Sequence, residues 1–300
     1  MSTPSVTVIM RTKNVEDIVG QALDGLFAQD FSDFQVMVVD SGSTDGTRDV
    51  VGRYPATVRV IRAEDYVPGP VLNEAIRRCS SELVVFQNSD VVPLRTDALS
   101  SLVAAFQDPE VMAAFGRQLP RPEAHTWVRG DYARAFPAAG PAPEWLPFSL
   151  PFAAMRRSAW EARPFYDAAW GSEDTDWGVA ARDRGWRIAY VPEAAVMHSH
   201  NYTLRQLYGR RFIEGEADAF IYGRAEGAAA WLRRALGSMV RDVADHLRVR
   251  DVAGLFQVPA RRAVYHWAYG VGYRLGTQRR LTGDADVSVG QRTVLSRYGG

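Results

Sequence analysis

Gln35-Val36-Met37-Val38-Val39-Asp40-Ser41-Gly42-Ser43-Thr44-Asp45-Gly46-Thr47 is the stretch on which the reading of this chain turns. Its first half, Gln35–Val39, is almost entirely apolar with no polar alternation, the pattern of a strand buried on both faces. Its second half is built from residues that favour turns for local reasons. The same change of character occurs upstream, where Val6–Met10 runs into Arg11-Thr12-Lys13-Asn14. It occurs again downstream, where Leu83–Gln87 runs into Asn88-Ser89-Asp90.

Helical patterns separate these runs. Val15, Ile18, Val19, Ala22, Leu23, Leu26 and Phe27 share one face of a helix predicted over Val15–Gln29, with Asn14 as its N-cap. Further helices are predicted near Asp45–Tyr54, Pro70–Cys79 and Asp97–Phe106, with strands at Val58–Ile61 and Val111–Gly116. The implied architecture is α/β, a mostly parallel sheet covered on both faces. Such sheets bind ligands beyond the carboxyl ends of their strands. Arg117–Leu150, rich in Pro, Ala and Gly, reads as a long excursion of functional or mobile character. After it come a helix near Glu173–Arg184, a strand at Arg187–Val191 and an extended segment at Ala195–His198. From Thr203 the pattern is helical.

With 300 residues, one large domain plus an appendage is expected. The 35 basic and 35 acidic side chains cancel, so no global field draws in nucleic acid, and that partner is not expected. Cys79 is the single cysteine, which excludes intrachain disulfides and cysteine metal clusters and fits a reducing cytoplasm. The start, running directly into a strand pattern, reads as leaderless, and no run approaches the ~20 apolar residues of a membrane span. Lys13 is the one lysine, so a phosphate-binding lysine elsewhere is excluded.

Several residues carry two readings. Asp40 and Asp90 are turn carboxylates or ligand carboxylates; one or two acids suffice for a hard cation bridging a diphosphate. Glu173, Asp174 and Asp176 either stabilise a helix N-terminus or include a general base. His198-x-His200 suggests zinc, but no further ligands stand at structural-site spacing. Trp127, Trp145, Trp160 and Trp170 are ambiguous: Trp usually belongs to the core, but the ring of Trp170 before the helix is also a platform for an acceptor sugar.

Taken in order, these motifs resemble family-2 glycosyltransferases over about residues 6–215. They are Val6–Asn14, Val38–Thr47, Gly69-Pro70-Val71-Leu72-Asn73, Asn88-Ser89-Asp90 and Gly171-Ser172-Glu173-Asp174 with Trp177, Arg182 and Gly185. Val191-Pro192-Glu193-Ala194 and His198-Ser199-His200 complete the series, and the run from His198 to Phe212 resembles the bacterial rhamnosyltransferase-like branch. The resemblance implies a GT-A fold: a donor-binding half at about 1–117, an acceptor half at about 118–215, and a helical extension over 216–300. It implies an inverting enzyme that moves a hexosyl or deoxyhexosyl group from a UDP- or dTDP-sugar, with dTDP-rhamnose as the first candidate. The acceptor would be a hydroxyl of a glycan, a lipid-linked sugar or a secondary metabolite. Arg11, Thr12, Asn14, Asp40, Asp45, Asn73, Asn88 and Ser89 would bind the donor, and Asp90 with His198 a divalent cation, Mg2+ or Mn2+. Asp174, with Glu173 beside it, would be the catalytic base, and Trp170 and Gly171 would meet the acceptor. Two positions depart from the family. Asn88 stands where the first acid of the metal motif is usual, and Leu72 where an arginine is often found, leaving Arg210 or Arg211 as candidate phosphate cations.

In the tail, Leu232, Leu236, Met239, Val240, Val243 and Leu247 form a helical stripe among arginines. It packs on the catalytic domain, makes a homodimer, or holds the protein peripherally on the inner face of the plasma membrane. The rival function is a non-catalytic nucleotide-sugar-binding protein with a lapsed site. A dinucleotide oxidoreductase fits less well still, since no G-x-G-x-x-G follows the first strand, where Arg11-Thr12-Lys13-Asn14 stands instead.

Overall fold

The computed structural model describes residues 5–223 and 227–298. Its elements run β1 (Val6–Thr12), α1 (Glu16–Phe27), β2 (Phe34–Asp40), α2 (Thr47–Val51), β3 (Ala56–Val60), α3 (Pro68–Arg77), β4 (Leu83–Gln87) and β5 (Val92–Pro93). Then follow α4 (Ala98–Ala104), β6 (Val111–Leu119), α5 (Thr126–Ala135), β7 (Phe152–Arg156), α6 (Arg157–Ala162), α7 (Glu173–Asp183) and β8 (Arg187–Met197). The chain closes with α8 (Leu204–Ile221), α9 (Ala228–Arg248), α10 (Val252–Leu255), α11 (Val258–Thr282) and α12 (Ser288–Tyr298).

The chain divides into two compact units. The first comprises residues 1–121, 133–165 and 174–199, and the second 122–132, 166–173 and 200–300. In the first, eight strands form one sheet in the order β3-β2-β1-β4-β7-β6-β8-β5. The four N-terminal strands are parallel, as their unbroken apolar pattern requires, and Thr12 lies opposite Asp40 at the carboxyl ends of β1 and β2. Val8, Met10, Val38 and Val85 are buried against Val19, Leu23 and Leu26 of α1.

Four expectations are corrected. Asn14 does not cap α1: its backbone is left-handed, with φ 48°, and Val15 precedes the helix instead. Asn tolerates that region better than most residues. The helix foreseen from Asp45 to Tyr54 is the short Thr47–Val51. The excursion Arg117–Leu150 holds the end of β6 and all of α5. The two extended segments before His198 are one strand, β8, whose register against β6 shifts at Gly116/Arg117. β7, short and alanine-rich, had no readable strand pattern, and it enters antiparallel between β4 and β6.

In the second unit, α8 and α11 pack at backbone distance. A Cβ built on Gly272 would stand 1.9 Å from the Phe212 carbonyl oxygen, and one on Gly276 2.3 Å from that of Glu216. Beside this crossing Glu216 is wholly buried, and Arg279 donates to its Oε1 at 2.5 Å. Burial pushes the Glu216 carboxyl up, and the Arg279 guanidinium works against that rise. Gly272→Ala forces backbone away from backbone, so stability should fall by about 1–3 kcal/mol or more. Urea unfolding followed by tryptophan fluorescence measures it, and an unchanged midpoint would refute the close crossing.

Candidate functional site

The carboxyl ends of β1 and β2 are tied together by Asp40. Its Oδ1 accepts from the backbone N–H groups of Gly42 (3.1 Å) and Ser43 (2.9 Å). Its Oδ2 accepts from the hydroxyls of Thr12 (3.0 Å) and Ser43 (2.5 Å). Four donors match the acceptor capacity of a carboxylate, so the fully buried Asp40 shapes the loop that follows it. Asn14 accepts from the Thr44 N–H at 2.9 Å, and Lys13 donates to the carbonyls of Ser41 and Gly42. Asp45 accepts from the N–H groups of Glu16 and Thr47, at the starts of α1 and α2. Arg11 is half-buried at the end of β1. The result is a rigid polar rim made of Thr12, Asn14 and the 40–47 loop.

Leu72, at the position where the family pattern often has an arginine, is 1% exposed and lies in the core. Asn73 is also engaged in the framework. Its Oδ1 accepts from Trp160 Nε1 and the Phe165 N–H, and its Nδ2 donates to the Phe165 carbonyl at 2.7 Å. One amide N–H remains for anything else.

After β4, Asn88 is half-buried and Ser89 buried. Asp90 Oδ2 stands 3.6 Å from Nε2 of the buried His198. The other ring nitrogen of His198 bonds Gln118 Oε1 at 2.7 Å; an amide oxygen only accepts, so Nδ1 carries a proton. Gln118 in turn donates to Ser149 Oγ at 2.9 Å. The next residue, Leu150, donates its N–H to Asp174 Oδ2 at 3.3 Å. Asp174 and the Asp90–His198 pair are therefore joined through one short chain of contacts. Two ligands each about 2.1 Å from one ion stand about 3.0–3.4 Å apart, so the 3.6 Å between Asp90 and His198 needs to close by only a few tenths of an ångström for the two to share a divalent cation.

Arg121 was missed in the sequence. Its guanidinium donates to the Asp90 carbonyl at 2.5 Å, and its N–H to Ser199 Oγ. The signal was available, since Arg121 follows the carboxyl end of β6, the kind of place where ligands bind. Gln118 had no such signal.

The remaining expected residues belong to the second unit. Glu173 is buried, and Gly171 has φ 130°, a region open to glycine alone, with Tyr166 donating to its carbonyl at 2.6 Å. Trp170 packs with Phe212 and Ile213. Arg210 pairs with Glu214, and Arg211 both pairs with Glu214 and stacks 3.8 Å from the Tyr265 ring centre. His200 is exposed and stacks on Tyr202.

The sequence profile of glycosyl transferase family 2 matches residues 7–163. The chain belongs to that family. This glycosyltransferase is similar to the O-antigen chain rhamnosyltransferase WbaN of Salmonella anatum, 30% identical over 81% of this chain and 79% of that one. It is similar as well to RfbN of Salmonella typhimurium, an enzyme of the same description, 27% identical over 90% and 89%. Among solved structures it is like the mannosyltransferase PcManGT of Pyrobaculum calidifontis in complex with GDP-Man and Mn2+, with TM-score 0.60, 21% identity, and 95% and 89% coverage. It is like glucosyl-3-phosphoglycerate synthase of Mycobacterium tuberculosis, bound to Mn2+ and UDP-glucose, with TM-score 0.56, 22% identity, and 75% and 81% coverage. The fold is that of the GT-A transferases, and the glycosyltransferase's first unit contains its sheet.

Asn73→Ala removes three hydrogen bonds and strands the Trp160 indole N–H, so stability should fall by about 1–3 kcal/mol. Thermal melts with and without nucleotide measure it. A loss of nucleotide affinity in the folded fraction would assign the remaining amide N–H to the donor.

Proposed function

We propose that this family-2 transferase moves a sugar with inversion from a UDP- or dTDP-sugar, dTDP-rhamnose first, to a hydroxyl acceptor. The acceptor is a glycan, a lipid-linked sugar or a secondary metabolite. One observation carries the reading: Asp174 is linked through Leu150, Ser149 and Gln118 to the His198–Asp90 pair. A candidate base and a candidate site for the diphosphate are thereby held in one rigid framework. The likeness to two rhamnosyltransferases supports a deoxyhexosyl donor. The catalytic domain would cover about residues 1–215, the span of the family motifs, with 216–300 appended.

In this reading Thr12, Asn14, Asp45 and the loop shaped by Asp40 wall the nucleoside, with Arg11, Asn88 and Ser89 beside the phosphates. Mg2+ or Mn2+ held by Asp90 and His198 would supply positive charge against the leaving diphosphate. Arg121, anchored on the Asp90 carbonyl, adds a fixed cation to the same loop, and Arg210 or Arg211 would be the further candidates. The acceptor oxygen attacks the anomeric carbon and Asp174 takes its proton. The bond from that carbon to the phosphate oxygen breaks on the opposite face, which inverts the configuration. Trp170 and Gly171 would frame the acceptor, and Glu173 would hold one of its hydroxyls.

If Asp174 is the base, Asp174→Asn should keep donor affinity and lose about 10²–10⁴-fold in turnover. If it only stabilises the helix start, the change should cost little, since Asn caps as well as Asp. Glu173→Gln is the control, and near-normal turnover in both variants would remove the base from this helix. Proton NMR of the product of a defined donor reads the anomeric configuration, and retention would overturn the single displacement.

Removing the group that orients a metal-binding histidine typically costs about 10–100-fold in metal affinity. Gln118→Leu should therefore weaken Mn2+ binding by that factor, and Asp90→Ala by more. Both are read from the free Mn2+ signal in paramagnetic resonance, without any turnover. Unchanged binding in both variants would place the cation elsewhere.

A further inference from the structure

Helix α9 is arranged inside out. Its inner face is polar: Asp242 receives both Nε and Nη2 of Arg262 at 2.7 and 2.6 Å, and Ser238 Oγ accepts from His266 Nε2 at 2.9 Å. His246, also buried, donates from Nδ1 to the Asp242 carbonyl. Its outer face is apolar. Leu232, Leu236, Val240, Val243 and Leu247 are 36–68% exposed, and at the helical period they fall within about 80° of arc. An ordinary surface helix of a soluble domain has the opposite pattern. The stripe runs along most of a helix about 30 Å long, and Phe256, 82% exposed, extends the apolar surface past α10.

The charge beside the stripe is of one sign. Among the described residues of α9, every exposed charged side chain is an arginine: Arg233, Arg234, Arg241 and Arg248. The two acids are Asp242, buried against Arg262, and the half-buried Asp245. No helix among the described residues is long and apolar enough to cross a membrane.

We propose that the outer face of α9 is a lipid-docking surface for an anionic bilayer, with the leucine and valine stripe entering the headgroup boundary and the arginines meeting lipid phosphates. The chemistry is that of an interfacial amphipathic helix, apolar stripe beside a basic one. A second copy of this chain fits less well, because a twofold contact through one patch brings like-charged arginines together. The proposal goes beyond the transfer reaction and does not depend on it.

The test is flotation of the full chain with vesicles of phosphatidylcholine alone and of phosphatidylcholine with phosphatidylglycerol, at low and high salt, beside light scattering of the protein alone. The expected result is binding to the anionic vesicles that weakens with salt. Leu236→Ser with Val240→Ser should lower partitioning by more than about tenfold. Arg233→Gln with Arg241→Gln should cost about fivefold per arginine and flatten the salt dependence. All four side chains are exposed, and thermal melts check that both variants fold; the arginine pair alone decides if the other does not. A chain that ignores anionic vesicles at low salt overturns the proposal. So does binding unaffected by both variants, or a dimer broken by the apolar pair with no vesicle binding.

Discussion

Burying a carboxylate costs several kcal/mol unless donors replace the water it loses, and the wholly buried Asp40 receives four, from Thr12, Gly42 and Ser43. That demand shapes the rim at the carboxyl ends of β1 and β2. The 40–47 loop must fold back over the end of β2 so that two of its N–H groups and one hydroxyl point at Asp40. Thr12 must sit opposite it, which the parallel register of β1 and β2 provides. Once the loop is in place, Asn14 takes a left-handed backbone to reach Thr44, and Lys13 closes over the carbonyls of Ser41 and Gly42. The chain's own groups hold this rim together.

The end of β6 is organised by a neutral amide. Gln118 stands between His198 and Ser149, and its two ends define which nitrogen of the imidazole faces Asp90. Leu150, one residue beyond Ser149, fixes Asp174. If Asp174 is the base, as proposed, it gains from such support, because misplacement by an ångström can cost a hundredfold in rate. The Asn88 departure removes one charge from this region, while Arg121 brings a cation to the carbonyl of Asp90.

The second unit solves a different problem. Its helices approach closely through Gly272 and Gly276 and carry buried ion pairs, Arg279 with Glu216 and Arg262 with Asp242. Using polar partners inside leaves the leucines and valines of α9 outside. Buried pairs of this kind are weak contributors to net stability, and the exposed apolar stripe adds nothing to it, which the proposed lipid contact would account for.

The strands β1 to β4 and the polar runs after them were legible because burial on both faces forces an unbroken apolar pattern, and the parallel crossovers force turns at one edge. The motif order from Val6 to His200 carried the family as well. What stayed hidden were groups whose roles depend on partners distant in the chain. Asn73 reads as a donor ligand from its motif, and only the fold shows that Trp160 and Phe165 also hold its amide. β7 is too short and too rich in alanine to declare itself, and its pairing with β4 and β6 is a tertiary choice. The stripe on α9 was visible from its period, but period alone cannot say which face of a helix meets the protein. By itself the sequence determined the family, the parallel half of the sheet from β1 to β4 and the polar ends of those strands, because these follow from local pattern. The tertiary structure alone decided that Gln118 links His198 to the Asp174 loop and that α9 turns its apolar side outward, because both depend on contacts between segments far apart in the chain.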